Sequence, residues 1–173
     1  MAEEISEQKV LDDKAVVEEK KQYMTFRSCD EVYGVSLENV SEIIGFQQYT
    51  EVPETEDYIK GLINLRGKII PVIDVRIRFG KEPLSYNDRT SVIVIQVKGT
   101  VLGLIVDGIE GVVEFGDSEV APPPSVSSLA KQAQKFVFGI GKSDGEVKLL
   151  LDPDKLVNDN DAEDEEKDED EEE

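Results

Sequence analysis

The chain has 173 residues, 39% of them hydrophobic and 34% charged, and a formal charge of −20. That composition suits a globular protein with one substantial core or two small ones, and no run approaches the roughly 20 apolar residues of a bilayer span. Histidine is absent and the only cysteine is Cys29, so an internal disulfide is excluded and a thiol nucleophile would lack its usual base.

Residues 1–21 are charge-rich and begin MAEEISEQKVLDDK, with neither the basic nor the apolar segment of a secretory signal. They are expected to form a mostly disordered arm, and the chain is expected in the cytoplasm. From residue 22 the sequence reads as strands: QYMTFR, VYGVSL, NVSEIIG, GLINLR, KIIPVID, SVIVIQVKG, VLGLIVD, GVVEFG, KFVFGIG and EVKLLLD. These runs are short, rich in Val and Ile, and separated by glycine or polar turns. Many are apolar at consecutive positions, which predicts strands covered on both faces. Pro71 removes a ladder donor, so its strand is expected at a sheet edge or at a bulge.

Two segments imitate chemistry. The repeated Asp74 and Asp152 could share a proton across a cleft, but the contexts IDVRIR and LDPDKL look like helix N-caps. GKS at Gly141–Ser143 would need a glycine at position 136 to be a phosphate loop, and Phe136 stands there. No metal-ligand spacing and no nucleophile beside a base appears, so no catalytic residue, metal or cofactor is expected. The folded part, itself net negative, does not concentrate the Lys and Arg that nucleic acid requires. Residues 159–173 carry twelve acids against one lysine, net −11, and read as a disordered acidic tail.

The sequence also repeats. Shifted by 69 positions, VYGVSLENVSEII overlies VLGLIVDGIEGVV and matches Gly34 to Gly103. Shifted by 78, IKGLINLRGKIIPVID overlies VFGIGKSDGEVKLLLD and matches Gly61 to Gly139, Gly67 to Gly145 and Asp74 to Asp152. An internal duplication follows: an all-β fold of two similar five-stranded barrel subdomains within residues 22–158, joined near residues 80–90.

The segments IKGLINLRGKIIPVIDVRIRFG, YNDRTSVIVIQVKG and VLGLIVDGIEGVV resemble the CheW family, chemotaxis adaptors that link transmembrane receptors to the histidine kinase CheA. The likeness runs from about Tyr23 to Val157, and the combination of GxxNLRGxxxPxxD with VDGxxxVV is specific. It implies SH3-like barrels without catalytic activity. It also implies a groove between the subdomains for the cytoplasmic tip of a chemoreceptor, other surfaces for the regulatory domain of CheA, and contacts with further copies of the family in receptor arrays. Carried over by position, Val40, Glu42, Gly61, Arg66, Ile109 and Val112 become receptor- or kinase-binding residues. Val126, with Ser125, falls where relatives often carry an aromatic residue for a second kinase-type contact, and Ser91 stands where a hydrophobic residue is common. Val40, Ile109 and Val112 could equally be core residues, and Arg66 could be a solvated hairpin residue. The context favours a role at the groove, with its guanidinium steadied by Glu42, because the second repeat has Asp144 at the same place. Extensions on both sides of the repeats suggest a free-standing chain rather than a module of a larger signalling protein.

Overall fold

The computed structural model describes residues 19–123 and 135–157, so the arm to residue 18, Val126 and the acidic segment lie outside the described residues. Strands run in the order β1 (Lys20–Ser28), β2 (Glu31–Ser36), β3 (Val40–Gly45), β4 (Ile59–Leu65), β5 (Lys68–Asp74), β6 (Ser91–Val97), β7 (Thr100–Val106), β8 (Gly108–Gly116), β9 (Val120–Ala121), β10 (Val137–Ser143) and β11 (Glu146–Leu151). Short helices α1 (Val75–Arg78) and α2 (Pro153–Val157) follow β5 and β11. All ten expected runs are strands. The structure adds the two-residue β9, and it starts β1 at Lys20, inside what composition assigned to the arm.

The strands form a five-stranded sheet, β3-β6-β7-β5-β4, and a six-stranded sheet, β8-β1-β2-β11-β10-β9. The two orders are the same once each strand is replaced by its repeat: β3 by β8, β6 by β1, β7 by β2, β5 by β11 and β4 by β10. The duplication therefore persists in three dimensions, but its copies are interleaved. Each copy gives its first two strands to the sheet built from the other copy's remaining strands. The expected join near residues 80–90 is thus corrected: that stretch links α1 to β6 within the five-stranded sheet. The chain passes between sheets through the 3₁₀ turn Leu37–Asn39 and again at Asp107. The reason is burial, because interleaving lets central strands cover both faces.

Strand alternation shows this directly. Ile93, Ile95 and Val97 of β6 enter a core shared by both sheets, together with Phe26, Tyr33, Phe136 and Leu151. Their neighbours Val92 and Val94 point the other way, into a cluster with Ile63, Ile70, Val72 and Ile105 inside the five-stranded sheet. In β11, Leu149 and Leu151 face the shared core while Leu150 meets Tyr23 and Phe115 inside the other sheet.

The matched glycines have matched reasons. Gly103 lies opposite Val72 in a parallel ladder, and Gly34 lies opposite Leu150 in the equivalent one. A Cβ on Gly103 would come within 2.7 Å of Val92 Cγ1 and 2.9 Å of Val72 Cγ1. Gly61 and Gly139 each close a bulge against an edge segment. A Cβ on Gly61 would sit 2.2 Å from the Thr50 carbonyl oxygen, and one on Gly139 would sit 2.4 Å from Val120 Cγ1. Both aspartates are caps: Asp74 Oδ1 accepts from Arg76 N at 2.9 Å, and Asp152 Oδ1 accepts from Asp154 N at 3.0 Å.

Pro71 fails the edge alternative, since β5 lies inside its sheet between β7 and β4, although the β4–β5 ladder does shift register between Ile59 and Gly61, close to the Leu62–Pro71 pair. Its partner Leu62 spends its backbone groups on Thr50, so Leu62–Pro71 is a non-hydrogen-bonded pair and the proline nitrogen faces β7. The ladder to β7 starts one residue later, at Val72, so no donor is missed.

An ion pair fixes the second crossing. Arg76 of α1 reaches Asp107 with Nη2 to Oδ2 at 2.6 Å and Nε to Oδ1 at 3.0 Å, and Asp107 Oδ2 also accepts from Cys29 N at 3.1 Å. Cys29 is thereby a turn residue, with its thiol pushed up chiefly by burial.

Replacement of Gly103 by alanine should lower stability by about 1–3 kcal/mol, because both clashing methyls belong to buried β-branched side chains. Gly45→Ala, with nothing within 4 Å of the new carbon, is the control expected to melt like the parent; thermal unfolding compares them.

Alkaline pH offers a second check. Burial first, then a hydrogen bond to Glu31 or Asp74 respectively, pushes the Tyr33 and Tyr86 phenols well above their ordinary 10.0. A raised phenol pKa gives stability that is complete below pH 10 and is lost as the pH climbs above it. Phenolate absorbance from these two side chains should therefore appear only together with loss of the folded circular-dichroism signal.

Candidate binding site

Four two-residue hairpins have positive φ at both central positions, the primed geometry that suits twisted strands. Their first positions hold Cys29, Arg66, Lys98 and Asp144. Of these only Asp144 belongs to the types that adopt this conformation readily, and an arginine at φ 53° costs about 1 kcal/mol. Lys98 and Cys29 tolerate the same conformation, so what sets Arg66 apart is its partner. Arg66 Nη2 lies 2.9 Å from Glu42 Oε2. The turn beneath is held by Asn64 Oδ1, which accepts from Gly67 N at 2.9 Å.

Glu42 stands on β3, one edge of the five-stranded sheet, and Arg66 stands on the β4–β5 turn at the opposite edge. Their ion pair joins the two edges. A bulge on β3 between Val40 and Glu42 precedes the carboxylate and sets its direction. The guanidinium is 80% exposed and the carboxylate 22%, so the pair adds about 0–1 kcal/mol to folding, no more than the turn strain takes away. Glu42 Oε1, by contrast, is shielded from solvent and has no hydrogen-bond donor among the described residues. A hollow of about 320 Å³ opens beside the pair, bordered by Ser41, Lys68, Ile70, Val94, Gln96 and Val101 as well. Chemically it offers an outward-facing guanidinium above an apolar floor, which suit recognition of a polypeptide surface. Among the described residues no group of His, Cys, Asp and Glu could hold a metal ion.

The other expected site residues divide. Val40 is half-buried and packs against the shared core, so it serves the fold as well as any partner. Gly61 has a packing reason that its repeat Gly139 shares, so the fold alone requires it. Ile109 and Val112, 36% and 47% exposed, lie on β8, the strand that corresponds to β3 in the other sheet. The same bulge recurs there, between the residues paired with Thr25 and Phe26. By the repeat shift, Ile109 is the counterpart of Val40 and Val112 that of Ile43. Val126 and Ser125 lie outside the described residues. Ser91, at the start of β6, turns its hydroxyl back to the Arg89 carbonyl at 3.1 Å. Sequence reasoning missed Ile43, Ile69, Lys68 and Gln96. Ile43 could have been found as the repeat of Val112, whereas nothing local marks Lys68 or Gln96 as neighbours of Glu42.

Comparison with known proteins follows from this geometry. A family model described as CheW-like domain matches residues 22–161. The chain belongs to the CheW-like family. It is 33% identical to the chemotaxis protein CheW of Klebsiella aerogenes over 138 residues, covering 80% of this chain and 82% of that one. The chemotaxis protein CheW of Bacillus subtilis is 31% identical over 126 residues, 73% of this chain and 80% of the relative. Among solved structures, the scaffolding protein TtCheW from Thermoanaerobacter tengcongensis superposes with a TM-score of 0.71 at 34% identity, covering 78% of this chain and 90% of that one. The all-β, two-barrel architecture expected from the sequence is therefore that of a CheW scaffold.

Since this member of the CheW-like family holds Arg66 in a turn that favours asparagine, Arg66→Asn should relieve the strain while losing the ion pair. Thermal unfolding should place the variant within about 1 kcal/mol of the parent.

Proposed function

We propose that the chain is a non-catalytic adaptor of chemotaxis signalling, cytoplasmic and recruited to membrane-associated receptor arrays, that couples chemoreceptors to the histidine kinase CheA. Family membership supports the adaptor role. Among the described residues no helix is long and apolar enough to cross a membrane, so membrane association would come through a partner. The observation that carries the reading is the Arg66–Glu42 pair, which contributes nothing net to folding yet is built at an exposed turn beside a hollow.

In this reading the receptor tip lies along β3 and the β4–β5 turn, with β8 at its far side through Ile109 and Val112. Arg66 presents its remaining donors to receptor carbonyls or carboxylates in a planar fork, while Glu42 holds the guanidinium in place from within the fold. Helical receptor segments would set apolar side chains against Val40 and Ile43. The regulatory domain of CheA and other copies of the family would meet the remaining sheet surfaces, with Val126 part of a second kinase contact.

Receptor binding and thermal unfolding measured together test this. Arg66→Ala should weaken binding about tenfold or more with little change in melting. Arg66→Lys should recover only part of the loss, because an ammonium lacks the fork. Parental affinity in the alanine variant would overturn the role of Arg66, and full recovery by lysine would leave charge as its whole contribution.

A further inference from the structure

The acidic segment 159–173 leaves the fold at a defined place. The last described helix, α2, is anchored by Leu156, buried to 2%, and by an ion pair between Asp154 Oδ2 and Lys98 Nζ at 3.5 Å. Val157, its final residue, lines a small apolar hollow of about 120 Å³ with Tyr58, Ile59, Pro71, Thr100 and Leu102. The chain is therefore released beside the β6–β7 turn.

Cations gather at the same end of the five-stranded sheet. Lys98 forms the tip of that turn, held outward by its positive φ and 79% exposed. Strands β5 and β7 run parallel and in step, with Val72 opposite Gly103 and Ile73 opposite Leu104. Counting back along both brings Lys68 level with Gly99, the neighbour of Lys98. Lys68 has no ion pair among the described residues, and it borders the same hollow as Arg66. Ile69, 61% exposed, points to the other face of β5 from Lys68, the face that carries Pro71.

From this placement we propose that the acidic segment 159–173 of the same chain docks on the rim formed by Arg66, Lys68 and Lys98. Twelve acids against one lysine meet three solvent-exposed cations. Sixteen residues follow Val157, and a random coil of that length spans on the order of 20 Å between its ends. Tethering makes the contact intramolecular and raises the local concentration of carboxylates at this rim above that at Lys20 and Lys21, which belong to the other sheet. Arg66 and Lys98 remain partners of Glu42 and Asp154, and the segment supplies the charge that Lys68 lacks among the described residues. Docking there would cover Arg66. That consequence rests on the receptor reading above, whereas the contact itself does not.

The test needs no receptor, so its outcome is independent of that reading. A nitroxide is placed at Ala162→Cys in full-length chain carrying Cys29→Asn, which suits the left-handed turn position, and paramagnetic broadening of backbone amides is recorded. Amides of residues 66–69 and 98–100 should lose most of their intensity at low salt. They should recover at 1 M salt, where the Debye length is about 3 Å, and in Lys68→Glu, which leaves the Lys98–Asp154 anchor intact. Broadening no stronger there than at Lys20, Lys21 or Lys142 would overturn the proposal. So would broadening that appears only on isotope-labelled copies mixed with unlabelled spin-labelled ones, since the contact would then be between molecules. Zero-length carbodiimide crosslinking of the unmodified chain gives a second readout: links from Lys68 to the acidic segment support the contact, and links spread evenly over all lysines overturn it.

Discussion

Strands with two apolar faces must be covered twice, and this constraint organises the whole molecule. Ile93 and Val94, adjacent in β6, are both buried, one in the core shared by the sheets and one in the interior of the five-stranded sheet. A single sheet with a solvated face could not satisfy them. Interleaving the two copies does so, because each copy's first hairpin becomes the centre of the other copy's sheet. The shared core then belongs to neither copy, and the two halves cannot separate without exposing it.

That arrangement gives the crossings their importance. Asp107 turns the chain from one sheet to the other and is held from both sides, by Arg76 of α1 and by the backbone of Cys29 in the β1–β2 turn. Arg76 is 15% exposed, so this pair is worth more than a surface ion pair, and removing one partner would strand a charge in a poorly solvated place. The Arg66–Glu42 pair is the opposite case. It lies in solvent, bridges two sheet edges, and balances turn strain against a weak attraction. Two ion pairs of one chain thus differ in what they do for the fold: the shielded one holds the crossing between the sheets, and the exposed one leaves guanidinium donors that the fold does not use.

The repeats sharpen that contrast. Gly34 and Gly103, Gly61 and Gly139, Asp74 and Asp152 have the same jobs in both sheets, so the fold accounts for them. Arg66 and Asp144 occupy the same turn position with φ of 53° and 52°, yet they differ in charge and size. Glu42 likewise corresponds to Gly111. Where duplication preserved backbone geometry and let the side chain diverge, the fold does not require that particular side chain.

The sequence by itself determined the strands, the turns, the helix caps and the fact of duplication. Each depends on neighbours within a few residues or on self-comparison: the Val and Ile runs, the Asp-Gly and Arg-Gly turns, and the cap contexts of Asp74 and Asp152. It also made Glu42 the expected companion of Arg66 through family resemblance. Only the tertiary structure decided which strands pair, because backbone ladders are chemically alike and the choice between them is made by how much apolar surface the whole assembly buries. For that reason the join near residues 80–90 could not be read correctly, nor could Pro71 be placed inside a sheet: its missing donor is harmless only because Leu62 turns to Thr50. The same holds for the hollow beside Arg66. Ser41, Lys68 and the paired Gln96 and Val101 of the β6–β7 hairpin come from three stretches distant in sequence, and they become one surface only when the sheet curls and its two edges meet.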